Sequence, residues 1–322
     1  MQLIINNYGA YLKKKKDCFL IVLEEREVEV PIVKVDSIWI STSALISTDA
    51  IKSATENNID IVFLDKYGDP FGRIWHPKIG STTAIRRKQL QASDNDRGIE
   101  LVKKWGILKM TNQMELLRKL HKTRGDNEIL PQAISEIETY RERMRTIIGT
   151  VDDNRQQLLG LEGIASRAYF HALSTVMPYG FEFNGRSRRP AHDPFNCALN
   201  YGYGVLYGEI ERACILTGLD PYIGFLHTDD YNKQSFVYDV IEPFRGLIDE
   251  TIVFLFTTRR FKESCFDEIQ GGYTLNDEGK KILITELNSK LDATQNYHGK
   301  NMQYRNIILA EMHKIAKDIG RG

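Results

Sequence analysis

Cysteine is scarce in this 322-residue chain. Cys18, Cys197, Cys214 and Cys265 lie far apart and form no CxxC pair, which excludes a disulfide framework and a thiolate zinc site and leaves four reduced core residues as the expectation. Long apolar runs are missing as well. None approaches the ~18 residues that span a bilayer, and the first ten residues lack a basic stretch ahead of an apolar one. A cytoplasmic protein without membrane contact is expected. Net charge is absent, with 43 Lys and Arg against 43 Asp and Glu, so the total does not advertise a polyanionic partner. The first 75 residues contain neither a glycine-rich phosphate loop nor a nucleophile elbow.

The order of the patterns carries more information. The length allows two domains with a sizeable core. Short apolar or alternating runs at 3–5, 19–23, 28–33, 38–40 and 59–64 predict strands, with a helix over 43–57. Gly68, Asp69 and Pro70 predict a turn before a last strand at 71–75. The lysines at 13–16 read as a hairpin tip. A small polar stretch begins at Lys78, and from Asp94 onward the apolar period is helical: 94–121, a second helix through Ile134 to Ile147, then 152–177 and onward to the C-terminus. The fold class expected is α+β. A small N-terminal β-rich domain (1–77), suited to dimerisation or scaffolding, is followed by a linker (78–93) and a larger all-α C-terminal domain (94–322).

Charge is clustered even though it cancels. Basic groups fall at 13–16, at Arg86, Arg87 and Lys88, at Arg186, Arg188 and Arg189, and at Arg259, Arg260 and Lys262; such patches bind phosphates whatever the total. Asp193 before Pro194 reads as a helix N-cap, and the helix start beside the arginine loop suits an anion such as DNA phosphate. In that helix, Gly202, Gly204 and Gly208 admit a close neighbour.

Two stretches carry acids beside a base or a core stripe. In 224–245, His227 precedes a helix-like segment whose Asp239 and Glu242, three apart, share one face. That pattern suits a divalent cation, but taken alone it is more often an ordinary solvated acidic face. Pro243 is expected to end or bend the helix after Glu242. In the third helix Glu162 flanks the apolar stripe and Gly163 follows it. Either the backbone there lies close to something, or Glu162 simply pairs with Arg167 or another base.

Three motifs in order resemble the CRISPR-associated integrases of the Cas-one type: L-E-G-I-A-S-R-A-Y-F around Glu162, R-x-R-R-P-x-x-D-P-F-N-x-x-L-N-Y-G-Y-G from Arg186 to Gly204, and G-F-L-H with D-x-x-E-P-F-R. The Arg86-Arg87-Lys88-Gln89 run is similar too. The resemblance covers nearly the whole chain. It implies a metal-dependent DNA endonuclease and integrase that works as a homodimer with a dimer of a small Cas-two type partner, acting on prespacer DNA and the CRISPR repeat. It also implies Mg²⁺ or Mn²⁺ on Glu162, His227 and Glu242, with Asp239 at the neighbouring acidic position. Two carboxylates and a neutral histidine leave a divalent ion formally neutral, so Asp239 is expected off the ion, orienting either His227 or an ion-bound water. Arg188 and Arg189 are the first expected DNA contacts, with Arg167, Arg186 and Arg245 beside them. A hydrolytic nuclease and a non-catalytic DNA-binding subunit are the competing expectations. The arginine-rich signature of a tyrosine recombinase, tied to one tyrosine near the C-terminus, is not found in this sequence.

Overall fold

Alternation builds the first part of the chain and helical periodicity the second. The computed structural model describes residues 1–65, 70–75, 82–228, 230, 231 and 233–320. The turn expected at Gly68 and Asp69 and the start of the expected linker lie outside them. The chain divides into two compact units, Met1–Ile79 and Gly80–Gly322.

The first unit holds two four-stranded sheets. One has the order β1 (Gln2–Ile5), β5 (Ser37–Ile40), β7 (Asp60–Leu64), β8 (Pro70–Ile74). Its first three strands are parallel and β8 is antiparallel. The other runs β4 (Glu27–Pro31), β3 (Cys18–Val22), β2 (Tyr11–Lys15), β6 (Leu45–Ile46). Leu12, Phe19, Ile38 and Ile61 are fully buried in its core. Two expectations are corrected here. Lys13 to Lys15 are not a hairpin tip but part of β2, pairing with Cys18 to Leu20, and the turn begins at Lys16 with φ 54°. Outward lysines beside a single buried Leu12 hide the strand pattern. The helix expected over 43–57 is shorter, α1 (Thr48–Glu56), because Leu45–Ile46 joins the sheet and the Ser47 hydroxyl caps the helix at Ala50 N (3.2 Å).

The second unit is mostly helical. Part of the expected linker is itself a helix, α2 (Thr82–Ser93). Next come α3 (Asp96–Thr123), α4 (Ile129–Arg145) and α5 (Val151–Ser174), which pack on one another. The Asn95 side chain starts α3, and a Thr150–Asp153 capping box starts α5. At the centre lies α6 (Pro194–Thr217), buried on most of its circumference. A Cβ on Gly202 would come within 2.7 Å of Ile248, so glycine lets α8 (Arg245–Thr257) approach α6. Between them stand α7 (Ser235–Val240) and a 3-10 turn at Glu242–Phe244. α9 (Asp277–Asp292) and α10 (Tyr304–Gly320) close the unit, which also carries two hairpins, β9 (Phe266–Ile269) with β10 (Gly272–Leu275) and β11 (Thr294–Tyr297) with β12 (Lys300–Gln303). The fold class is α+β as expected, with these short hairpins added to the helical part. All four cysteines are free, three of them buried. Among the described residues, no helix is long and apolar enough to cross a membrane.

Candidate active site

Glu162, His227 and Glu242 reach one cavity of about 640 Å³ from three separate elements: α5, the loop after α6, and the 3-10 turn. Asp239 and Glu242 do not share a helix face. α7 stops at Val240, because Pro243 has no N–H to give and its ring obstructs the carbonyl four residues earlier. The break thus comes before Glu242, not after it, and sends the two carboxylates in different directions.

Asp239 is fully buried and turns back onto the loop that carries His227. Its Oδ2 accepts from the N–H groups of Phe225 (2.6 Å) and Leu226 (3.0 Å). Its Oδ1 faces the His227 N–H (3.1 Å) and ring Nδ1 (2.7 Å). A neutral His227 that donates from Nδ1 presents its Nε2 lone pair. The loop has further anchors. Gln89 on α2 donates to the carbonyls of Asp220 and Ile223 and accepts from Asp220 N–H. Arg155, two turns before Glu162 on α5, donates to the carbonyls of Phe225 and Leu226. At Gly224 a Cβ would meet Ser235 and the His227 carbonyl at 2.5 Å. Burial works against a charged imidazole, but the bond to Asp239 and the charges of Asp239, Glu242 and Glu162 outweigh it, so the His227 pKa is raised.

Glu242 faces the other way. Its Oε1 accepts from Arg245 Nε (2.9 Å), and its Oε2 lies 2.6 Å from Lys109 Nζ without an aligned hydrogen bond. The Lys109 ammonium also bonds to Glu162. Burial favours the neutral form of Glu242, yet Arg245 and Lys109 hold its pKa down at about 2. Burial likewise opposes charge on Lys109, and the two glutamates more than restore it. Glu162 thus pairs with a base, one of the two expectations, and that base is Lys109 and not Arg167. A Cβ on Gly163 would meet nothing within 4 Å among the described residues, so none of their backbone closes on it; it lines the cavity.

The donor set of one imidazole and two carboxylates suits a hard divalent ion in kind, and one buried carboxylate oxygen is left without a hydrogen bond. As the side chains stand, no three donors among the described residues are close enough to share an ion. The Lys109 ammonium stands between the two glutamates.

The arginines divide into two kinds. Arg245 donates from Nη2 to the Tyr207 hydroxyl (3.0 Å) and lies over the Tyr203 ring at 4.4 Å. Arg186 bonds Asn196 and Asn200 and lies between the Phe170 and Tyr203 rings, and burial lowers its pKa. Both are committed to protein contacts. Arg167 and Arg188 are exposed, line the cavity, and form no side-chain bond among the described residues. Arg188 also lines an adjoining cavity, which Arg189 shares. The start of α6 is filled by the chain itself, since Asp193 caps Asn196 N (2.7 Å), so an anion has no place there.

Sequence reasoning missed Lys109 and Asp249. Lys109 lies beside the buried Met110 on α3, four residues before the equally buried Gln113. That polar pair flanking an apolar stripe was the available signal. Asp249 is buried and accepts from the hydroxyls of Tyr169 (2.9 Å) and Tyr203 (2.5 Å), and burial raises its pKa despite them. It is flanked in α8 by apolar residues such as Ile248, Ile252 and Val253, which hide it in the sequence.

Solved structures give the class first. The chain superposes over 99% of its length on 90% of a casposase bound to integration product, with a TM-score of 0.85 at 22% identity. It superposes over its whole length on 35% of a chain in a Cas6-RT-Cas1–Cas2 complex, with a TM-score of 0.81 at 18% identity. The fold is therefore the one found in casposases and Cas1 proteins. The model of the family described as CRISPR associated protein Cas1 matches residues 3–289. CRISPR-associated endonuclease Cas1 1 of Archaeoglobus fulgidus is 37% identical, with 98% of this chain and 95% of the relative covered. The chain belongs to the Cas1 family, as its three motifs suggested.

Proposed function

We propose that this chain is a metal-dependent DNA endonuclease and integrase of CRISPR adaptation, which inserts short DNA fragments into the CRISPR array. The observation that carries this reading is the meeting of Glu162, His227 and Glu242 on one cavity rimmed by Arg167 and Arg188, in a chain of the Cas1 family. A relative named as an endonuclease supports nuclease chemistry. Neighbours named for an integration product and for a Cas1–Cas2 complex support strand joining and a Cas2-type partner. We extend the reading to a homodimer with a Cas2-type dimer, bound to prespacer and repeat DNA.

In the reaction a DNA 3′-hydroxyl attacks a phosphorus of the repeat. One P–O bond forms, one breaks, and the departing 3′-oxygen takes up the proton, so no energy-rich cofactor is needed. Water in place of the hydroxyl gives cleavage. Mg²⁺ or Mn²⁺ bound through Glu162, His227 and Glu242 would supply Lewis acidity at the phosphoryl oxygen and a lower pKa for the nucleophile. Asp239 keeps the His227 ring in one tautomer and orientation. Arg245 fixes Glu242, and Arg167 and Arg188 hold phosphates in line.

A 3′-hydroxyl duplex, a repeat-bearing target and Mn²⁺, with and without the partner, test the reading. Joined product is expected. Cleavage without joining would favour a hydrolytic nuclease, and ion-independent behaviour a DNA-binding subunit.

Replacing Arg167 and Arg188 together by alanine should lower the slope of log Kd against log salt by about 1.8, at roughly 0.9 per phosphate contact. An unchanged slope in a fluorescence titration would make both ordinary surface charges.

The raised His227 pKa gives a pH signature. A proton competes with the ion for imidazole, so ion affinity should climb with pH through a range above the ordinary value of about 6.5. Stability of the ion-free protein should move oppositely. The His227–Asp239 contribution is complete below the unfolded pKa and is lost as pH rises through the folded one. Calorimetric titrations from pH 6 to 9 check the first trend, and an affinity flat across that range would remove His227 from the ligand set.

A further inference from the structure

Lys109 lines the site, yet neither the family motifs nor the proposed chemistry uses it. It enters from α3, with its side chain only 10% exposed. Its ammonium touches Glu162 and lies 2.6 Å from Glu242, the two carboxylates that separate elements bring to the cavity. With Arg245 on the far side of Glu242, the cluster holds two negative and two positive charges and is already balanced.

A divalent ion added beside a fixed Lys109 would meet a like charge at contact distance, within a poorly solvated site. Glu242 is held by Arg245, and Glu162 projects from a long helix. Lys109 ends a flexible four-carbon stem, the easiest part to move. Lys109 lines the same cavity as the exposed Arg167 and Arg188.

We propose that Lys109 is an exchangeable counter-cation: it bridges Glu162 and Glu242 until a divalent ion displaces it, and its released ammonium then contacts a DNA phosphate in the same cavity. This rests on the metal-site reading above. It makes ion binding and the lysine bridge mutually exclusive, and it couples ion binding to the appearance of a third phosphate-binding cation.

The test is Mg²⁺ calorimetry without DNA on the wild-type chain, Lys109→Met, Glu162→Gln and His227→Ala, followed by strand joining at saturating Mg²⁺. Lys109→Met is expected to bind Mg²⁺ about tenfold more tightly, from loss of the competing charge, and to join DNA more slowly. Equal or weaker Mg²⁺ binding by Lys109→Met would overturn the exchange, and unimpaired joining would overturn the phosphate contact. If Glu162→Gln and His227→Ala bind Mg²⁺ like the wild type, the metal-site reading itself fails, whatever Lys109→Met does. Should Lys109→Met not fold, the wild-type chain still decides. An amine-modifying reagent with peptide mass mapping should label Lys109 only at saturating Mg²⁺, and identical labelling with and without Mg²⁺ would overturn the exchange.

Discussion

Alanine at Glu162 or at His227 is expected to abolish ion-dependent strand joining, a loss on the order of 10³-fold or more, while the chain still folds and still binds DNA. The two sites suit this experiment because both side chains lie at the cavity edge, 19% and 28% exposed, and neither holds the core together. Removal of Glu162 leaves Lys109 paired with Glu242, so no buried charge is stranded. Removal of His227 leaves Asp239 with the backbone N–H groups of the same loop. Glu242 makes a poorer test, since its loss would leave Arg245 without its carboxylate and confuse chemistry with stability. Joining measured beside near-ultraviolet circular dichroism and DNA affinity separates the two effects. Normal joining by either variant would overturn the site assignment.

The largest stability effect is expected at Arg245. Its alanine variant should lose roughly 3–5 kcal/mol, the range seen when one partner leaves a buried ion pair. Arg245 is 11% exposed and does three things at once: it pairs with Glu242, donates to Tyr207 and stacks on Tyr203. Lysine should restore little, because a single ammonium cannot serve Glu242 and Tyr207 in the fork geometry of a guanidinium. Arg167→Ala, at an exposed position, should change stability by less than about 0.5 kcal/mol. Urea denaturation of the three variants measures the difference. A loss under 1 kcal/mol at Arg245 would mean that the Glu242 network is not desolvated in the way its burial indicates.

Much of the fold follows from periodicity alone. The strands at Ile38 to Ile40 and Ile59 to Leu64 and the long helices α3, α5 and α6 stand close to where apolar spacing puts them. Asp193 and Pro194 start α6 as their chemistry requires. The misses have local causes. Lysines on one face concealed β2, and polar composition concealed both α2 and the β11–β12 hairpin. Within the site, the sequence could bring His227, Asp239 and Glu242 near one another because they are neighbours in the chain. It could not show that Pro243 splits the two carboxylates between different tasks, or that a lysine fifty-three residues before Glu162 would lie against it. Those facts depend on packing among α3, α5 and the α7–α8 corner, and no spacing rule within one segment reports them.

The most direct test of the central claim is anomalous diffraction from crystals of the intact chain soaked in Mn²⁺. One anomalous peak is expected among Glu162, His227 Nε2 and Glu242, with Asp239 still bonded to His227 Nδ1 and off the ion. A peak bound to Asp239, or Mn²⁺ density only elsewhere on the molecule, would contradict the account.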